Sequence, residues 1–402
     1  MMIFAQGWRF AYNWRQCPHQ RRESFAMLNS SFFPSGQTLA SVGFAILLLA
    51  FLTLKIRKDI PSWLAATKRN VQRAGCNDIK RMAPYPAQPI KGRDRYRVMM
   101  DIRKLDVDNW LTLDKNYMDE HVVRSQLLAQ EKQKVLQCLP ESYEACLEAL
   151  EEVVDFLTRR FCNMFDMKKH GEETTVYNKV TGETFVFGGE RTEQMDPLEI
   201  AVRLTMEDLS ILMKNEDGEY YLAASASLFP VGWTVAERIG WTISKLHNPV
   251  PLWHQQVANS VSKFLCRLTP ESPMERSNYF VEVKRPDEDL FEILYRPTTL
   301  SEDNPDPSPQ DIVVRRERQT FRRLPRTGAI VFGVKTFLTT LDELPMQELE
   351  NLAREVNSWP EHVGEYKGRE IWGAKALEFC EKRRQQQRCQ QQQEKKGEMM
   401  EV

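Results

Sequence analysis

The sequence predicts an α+β domain built on an antiparallel sheet with flanking helices, preceded by a single transmembrane helix. Three observations carry this expectation. Apolar stripes at 3–4 spacing fill the earlier part of the folded region, whereas short β-type runs gather late, which is the order of an α+β domain. From Asn29 to Leu54 there is no charge, and Leu39–Leu54 (LASVGFAILLLAFLTL) is almost wholly apolar. The stretch EKRRQQQRCQQQQEKKGEMMEV is too polar to pack and marks the far edge of the domain.

Residues 1–30 form an N-terminal segment and 31–56 the expected span. Its apolar run falls short of the roughly 20 residues that cross a bilayer, and Phe32, Phe33 and Pro34 extend it. The rival reading is a cleaved signal peptide, but the run starts far from the N-terminus and lacks a small-x-small cleavage site. Lys55, Arg57, Lys58, Lys68, Arg69 and Arg73 follow the run, against Arg9, Arg15, Arg21 and Arg22 before it. That bias places the domain on the cytosolic side of a single-pass membrane protein. Residues 57–95, basic and then broken by Pro84, Pro86 and Pro89, read as a linker. The folded domain occupies 96–380 and a Gln-rich polar tail 381–402.

Within the domain, Glu141–Met167 is the clearest helix, with Cys146, Leu150, Val153, Val154, Leu157, Phe161 and Phe165 on one stripe. Thr205 caps a second helix, with Asp208 three residues on. Residues 220–229 read as a strand, and 234–246 and 252–268 as helices separated by HNPVP (247–251). Strands follow at 278–283, 312–324 and 329–341, and 345–359 closes the domain as a helix.

Composition limits the function. Hydrophobic content of 42% and charged content of 28% describe a globular chain, and its net charge of −1 does not suit a polyanion binder. Nucleic acid is therefore not an expected partner. The eight cysteines include no C-x-x-C pair, so a zinc or iron–sulfur centre within this chain is not expected, and the thiols read as reduced. No G-x-G-x-x-G, G-x-x-x-x-G-K-[ST] or G-x-S-x-G motif supports nicotinamide, ATP or serine-hydrolase chemistry.

Two features carry chemistry. RRERQTFRRLPRTG (315–328) packs six arginines beside Glu317. As a strand it puts Arg316, Arg318 and Arg322 on one side and Arg315, Glu317, Gln319 and Phe321 on the other. Neither side is apolar, so either both are wet, as in a solvated hairpin, or one forms an anion-binding wall. His247 ends a helix and is followed by Pro249 and Pro251, a stiff turn that suits a metal or haem ligand; helix ends also favour histidine through the dipole. His254, on a stripe with Ala258, Val261 and Leu265, reads as a core histidine.

Three blocks in order, KLDVDNWLTLDKNYMDEHVVRSQLL (104–128), LAASASLFPVGWTVAERIGWTISKLHNPVP (222–251) and VRRERQTFRRLPRTGAIVFGVKTF (314–337), resemble the haem-dependent oxidative N-demethylase family, alpha-subunit-like, whose fungal relatives are grouped as the HRQ family. The resemblance spans roughly residues 80–378. It implies a PAS-like antiparallel sheet enclosing haem b, oxidative chemistry on a small amine or a fungal specialised metabolite, and electrons from a separate protein carrying flavin and an iron–sulfur cluster. It also implies His247 as the iron ligand, Arg315 and Arg318 as cofactor-binding residues, and Glu317 and Gln319 as catalytic ones. A PAS-like haem or ligand sensor and a membrane-tethered adaptor without turnover are the alternative readings.

Overall fold

The computed structural model describes residues 71–76, 78–189, 195–298 and 304–400, which lie within one compact unit, residues 62–402. Two antiparallel sheets organise them. The larger contains β1 (Arg103–Lys104), β2 (Leu136–Cys138), β6 (Asp208–Lys214), β7 (Tyr220–Ala226), β8 (Met274–Val283), β9 (Ile312–Arg323) and β10 (Ile330–Thr340), in the order β1-β8-β9-β10-β6-β7-β2. The smaller contains β3 (Phe165–His170), β4 (Glu173–Asn178) and β5 (Glu183–Phe187). The long β9–β10 hairpin holds the centre, apolar through much of β10 and at Ile312–Val314 and Phe321 of β9, and its turn docks on a helix: Glu148 accepts bonds from the backbone N–H groups of Arg326 (2.6 Å) and Thr327 (2.8 Å).

Register assigns the two faces of the large sheet. One face carries Leu209, Ile211, Ala224, Ala226 and Val331, which pack against α1 (Tyr117–Gln130), α2 (Tyr143–Arg160) and α3 (Pro197–Leu204). Val281, Val283, Ile312 and Val314 on the same face form a second core with Leu349, Leu352, Val356 and the edge-to-face pair Trp359 and Trp372. The opposite face is apolar only at one end, where Leu212, Leu222, Phe321, Ile330 and Phe332 lie under Val261, Phe264 and Leu265 of α4 (Ala258–Arg267). Beyond that end its side chains turn polar. α5 (Met346–Asn357) and α6 (Arg369–Met400) complete the fold.

The late strands and closing helix lie where the sequence places them; three earlier readings need correction. Helical periodicity past Arg160 is false, because Phe161, Met164 and Phe165 stay buried while the chain turns into β3. Thr205 closes a helix instead of opening one: Asp196 caps α3, whereas Asp208 accepts bonds from Leu228 N and Phe229 N. Residues 234–246 break into two single turns at Gly240, whose φ of 79° a β-carbon disfavours and whose N–H bonds Leu222 O of β7.

The membrane component of the expected fold class is also corrected. Among the described residues no helix is long and apolar enough to cross a membrane, and residues 31–56, on which the span rested, lie outside them. The two longest described helices carry polar side chains along their length, charged ones in α2 and charged and Gln ones in α6. The single-pass localisation and its cytosolic orientation are withdrawn with the span. Part of the segment expected as a linker packs on the domain: Ile90 is buried, and its N–H and C=O bond Glu348 and Asn351 of α5.

Candidate functional site

The arginine-rich strand is paired internally almost from end to end. Arg315, fully buried, donates Nε to Glu282 (2.5 Å) and its Nη atoms to the carbonyls of Ile293 and Leu294. Arg318 donates to Glu275 (2.7 Å) and lies over the Tyr85 ring. Arg316 reaches Glu348 (2.6 Å) and Arg322 reaches Glu152 (2.6 Å). Arg323 is spread over the carbonyls of Leu265, Leu268 and Gly328 and the Tyr220 hydroxyl. Neither Arg315 nor Arg318 is therefore available to an incoming anion without displacing a buried carboxylate, a costly exchange in low dielectric.

The polar middle of the sheet lies on the other side of this accounting. Antiparallel register places Arg276 opposite Gln319, and Asn278 and Thr336 on either side of Glu317. Arg276 Nη1 donates to Gln319 Oε1 (2.9 Å), and Gln319 Nε2 donates to Glu317 Oε2 (2.8 Å). Burial, foremost, lifts the Glu317 carboxyl above the usual carboxylate range, while Gln319, Arg315 and Arg276 pull it back. Glu317 and Gln319, two of the residues singled out in the sequence, are thus joined in one chain of hydrogen bonds.

His247 is held by local structure. It caps the turn Ile243–Leu246, and its Nδ1 lies 2.8 Å from Ile243 O. A carbonyl only accepts, so Nδ1 carries the proton and Nε2 of the neutral ring keeps its lone pair. The turns after it, Val250 N to His247 O and Trp253 N to Val250 O, bring Trp253 back beneath the imidazole, with ring centroids 3.9 Å apart and planes within 10°. Leu252 closes that return with φ at 64°, an unusual conformation for a leucine. Burial is the first cause lowering the affinity of His247 for a proton, and Arg276 and Arg238 add to it. The ring is therefore neutral at pH 7, as ligation requires. His254, expected in the core, is instead exposed and meets Asn248 Oδ1 at 2.8 Å.

Three cations that the sequence reading passed over surround this region. Arg238 lies over Trp233, Arg276 bonds only the Gln319 amide while its buried Nε has no partner, and Lys367 sits among three aromatic rings. Among the described residues, none of the three has a carboxylate at ion-pair distance. Charge interactions link His247 to Arg276 and Arg238, and Lys367 to Arg276 and Glu317. The site is thus a neutral imidazole and a half-buried carboxyl beside three cations, none with a described carboxylate at ion-pair distance. The signal for Arg276 was present: extending the 278–283 strand back to 274 sets it opposite Gln319. Arg238 and Lys367 lie on separate elements and have no local signature.

A family model described as haem-dependent oxidative N-demethylase, alpha subunit-like, matches residues 101–377. The chain belongs to this family. Membership fixes the coarse chemistry as haem-dependent, oxidative and demethylase-like, and the alpha-subunit description implies a partner subunit. The donor set fits a haem in two respects. His247 offers an oriented imidazole with Nε2 open, and the unpaired cations suit the two carboxylates of a haem.

Proposed function

We propose that this chain is the haem b-binding, amine-oxidising subunit of an oxidative demethylase, in which His247 would hold the haem iron. The observation that carries the reading is the His247 ring itself, pinned at Nδ1, stacked on Trp253 and open at Nε2. Arg276 and Arg238, in place of Arg315 and Arg318, would receive the haem carboxylates, because among the described residues the former pair has no carboxylate at ion-pair distance. The bound haem supplies the oxidising power for an N-methyl group. Electrons come from a separate protein carrying flavin and an iron–sulfur cluster, as the dispersed cysteines of this chain favour.

Glu317 and Gln319 act on the substrate. Gln319 occupies Oε2 of Glu317, which leaves Oε1 to face a ligand. A small methylamine arrives as an ammonium ion, and an amine must lose that proton before its nitrogen lone pair can assist oxidation. Burial makes Glu317 a stronger base than an ordinary carboxylate, so Oε1 takes the proton from the ammonium nitrogen and holds the resulting neutral amine by hydrogen bonding.

Glu317→Gln tests this role. The substitution should leave haem binding intact and weaken the amine-induced change in the haem spectrum by at least about 10-fold, a loss typical of a charge-assisted contact. It should also stabilise the domain at neutral pH. The sign follows from linkage: a carboxyl raised on folding binds more protons in the native than in the unfolded state. Wild-type stability therefore falls as pH rises from the ordinary carboxylate value through the raised one. The Gln variant should lack that fall, and unchanged amine binding in it would remove Glu317 from the site.

Arg276→Ala supplies a second test, with haem dissociating about 10-fold faster than from wild type on loss of a charge-assisted contact. Equal rates would leave the haem carboxylates with other partners.

A further inference from the structure

Lys367 is the cation in this region whose setting the haem does not explain. It lies between the short helix Glu361–Tyr366 and α6, with its backbone tied on both sides: its N–H reaches Val363 O at 3.0 Å, and its C=O accepts Trp372 Nε1 at 3.2 Å. Its Nζ sits 5.1 Å from the Tyr279 ring centroid, 5.2 Å from Trp359 and 5.6 Å from Phe280. Phe280 and Asn278 share a face of β8, and Asn278 is the register partner of Glu317, which places the lysine near the proposed amine site.

The groups that bear on this amine are Glu355 and Glu317, which favour its charge, and Arg276, which opposes it; burial outweighs them all. The aromatic rings attract an ammonium, but they supply no proton acceptor. Burial brings the lysine down to about 8, so at pH 7 its neutral fraction exceeds that of an ordinary lysine by on the order of 100-fold. A neutral, half-buried and positioned amine is a nucleophile toward carbonyl carbon.

We propose that Lys367 captures the aldehyde released when an N-methyl group is oxidised, a role that rests on the demethylase reading above. Oxidation at a methyl carbon bonded to nitrogen gives an N-hydroxymethyl group, which breaks its C–N bond to leave the amine and formaldehyde. The Lys367 Nζ lone pair then attacks the carbonyl carbon. The C=O π pair moves to oxygen, which takes a proton from Nζ to give a hydroxymethylamine. Loss of that hydroxyl with the second Nζ proton, as water, leaves Lys367 N=CH2. The sum is amine plus formaldehyde giving imine plus water, with no change in oxidation state. Hydrolysis reverses it, so the site holds the aldehyde without consuming it.

The test treats the full chain with formaldehyde and cyanoborohydride at pH 7 and follows methylation of each lysine by peptide mass spectrometry. Lys367 should be methylated at least about 10-fold faster than the exposed Lys115 and Lys169, with the advantage narrowing as the pH is raised toward 10. Methylation of Lys367 no faster than these two overturns the proposal. Haem binding and amine oxidation are measured on the same preparation. Slow labelling in an active chain removes aldehyde capture alone. Fast labelling in a chain that neither binds haem nor oxidises amines overturns the demethylase reading and the source of the aldehyde with it.

Discussion

Arg315→Ala is expected to destabilise the domain by about 3–5 kcal/mol, the cost of breaking a buried ion pair from one side. The guanidinium is wholly buried, its partner Glu282 is 1% exposed, and the substitution also strips donors from the carbonyls of Ile293 and Leu294. Arg296 Nε lies 3.1 Å from Glu282 and softens the loss without replacing the donors. Arg326→Ala is the control, because its pair with Glu151 is exposed and such pairs contribute about 0–1 kcal/mol. Urea denaturation of the two variants measures the difference. If Arg315→Ala were as stable as Arg326→Ala and instead released haem, the arginine would be a cofactor grip, as the family resemblance implies.

His247→Ala should lower haem affinity at least about 100-fold, beyond the 10–100-fold cost of removing only an outer-shell partner of a metal ligand. Trp253→Ala, which removes the ring beneath the imidazole but not the ligand, should fall within that smaller range. His254→Ala should bind haem as wild type does, because this histidine is exposed and bonded to Asn248. Haem titrations followed by visible absorption provide all three comparisons. Equal affinities for the wild-type and His247→Ala chains would place the ligand elsewhere.

The late antiparallel strands were legible because Val, Ile and Phe runs bounded by turn residues leave few alternatives. The β9 register then followed from alternation, and it correctly separates Arg316, Arg318 and Arg322 from Arg315, Glu317 and Gln319. The destination of each arginine was not legible. Glu275 and Glu282 come from β8, Glu152 from α2 and Glu348 from α5, so each partner is a long-range product of the fold. A cluster that reads locally as excess positive charge is thereby neutralised in space. The opposite holds for Arg238, Arg276 and Lys367, which look ordinary in sequence and come together without carboxylate partners.

The small β3–β5 sheet was missed because Phe161, Met164 and Phe165 continue the spacing of α2 past its end. His254 shows the converse error: its apolar neighbours at helical spacing suggested a buried ring, yet the chain restarts at Val257, between Trp253–Gln256 and α4, and the stripe does not carry back across that break. At His247 what was legible locally was the stiffness of the turn. Two prolines stiffen the turn, and the Ile243 carbonyl that sets the tautomer lies four residues away on the same turn.

The most direct test of the account is resonance Raman spectroscopy of the ferrous haem complex, reading the iron–imidazole stretch. The band should appear in the wild-type chain, be absent from His247→Gly, and return when free imidazole is added to fill the space left by the side chain. A band that survives unchanged in His247→Gly would contradict the assignment of His247 as the residue that holds the haem iron.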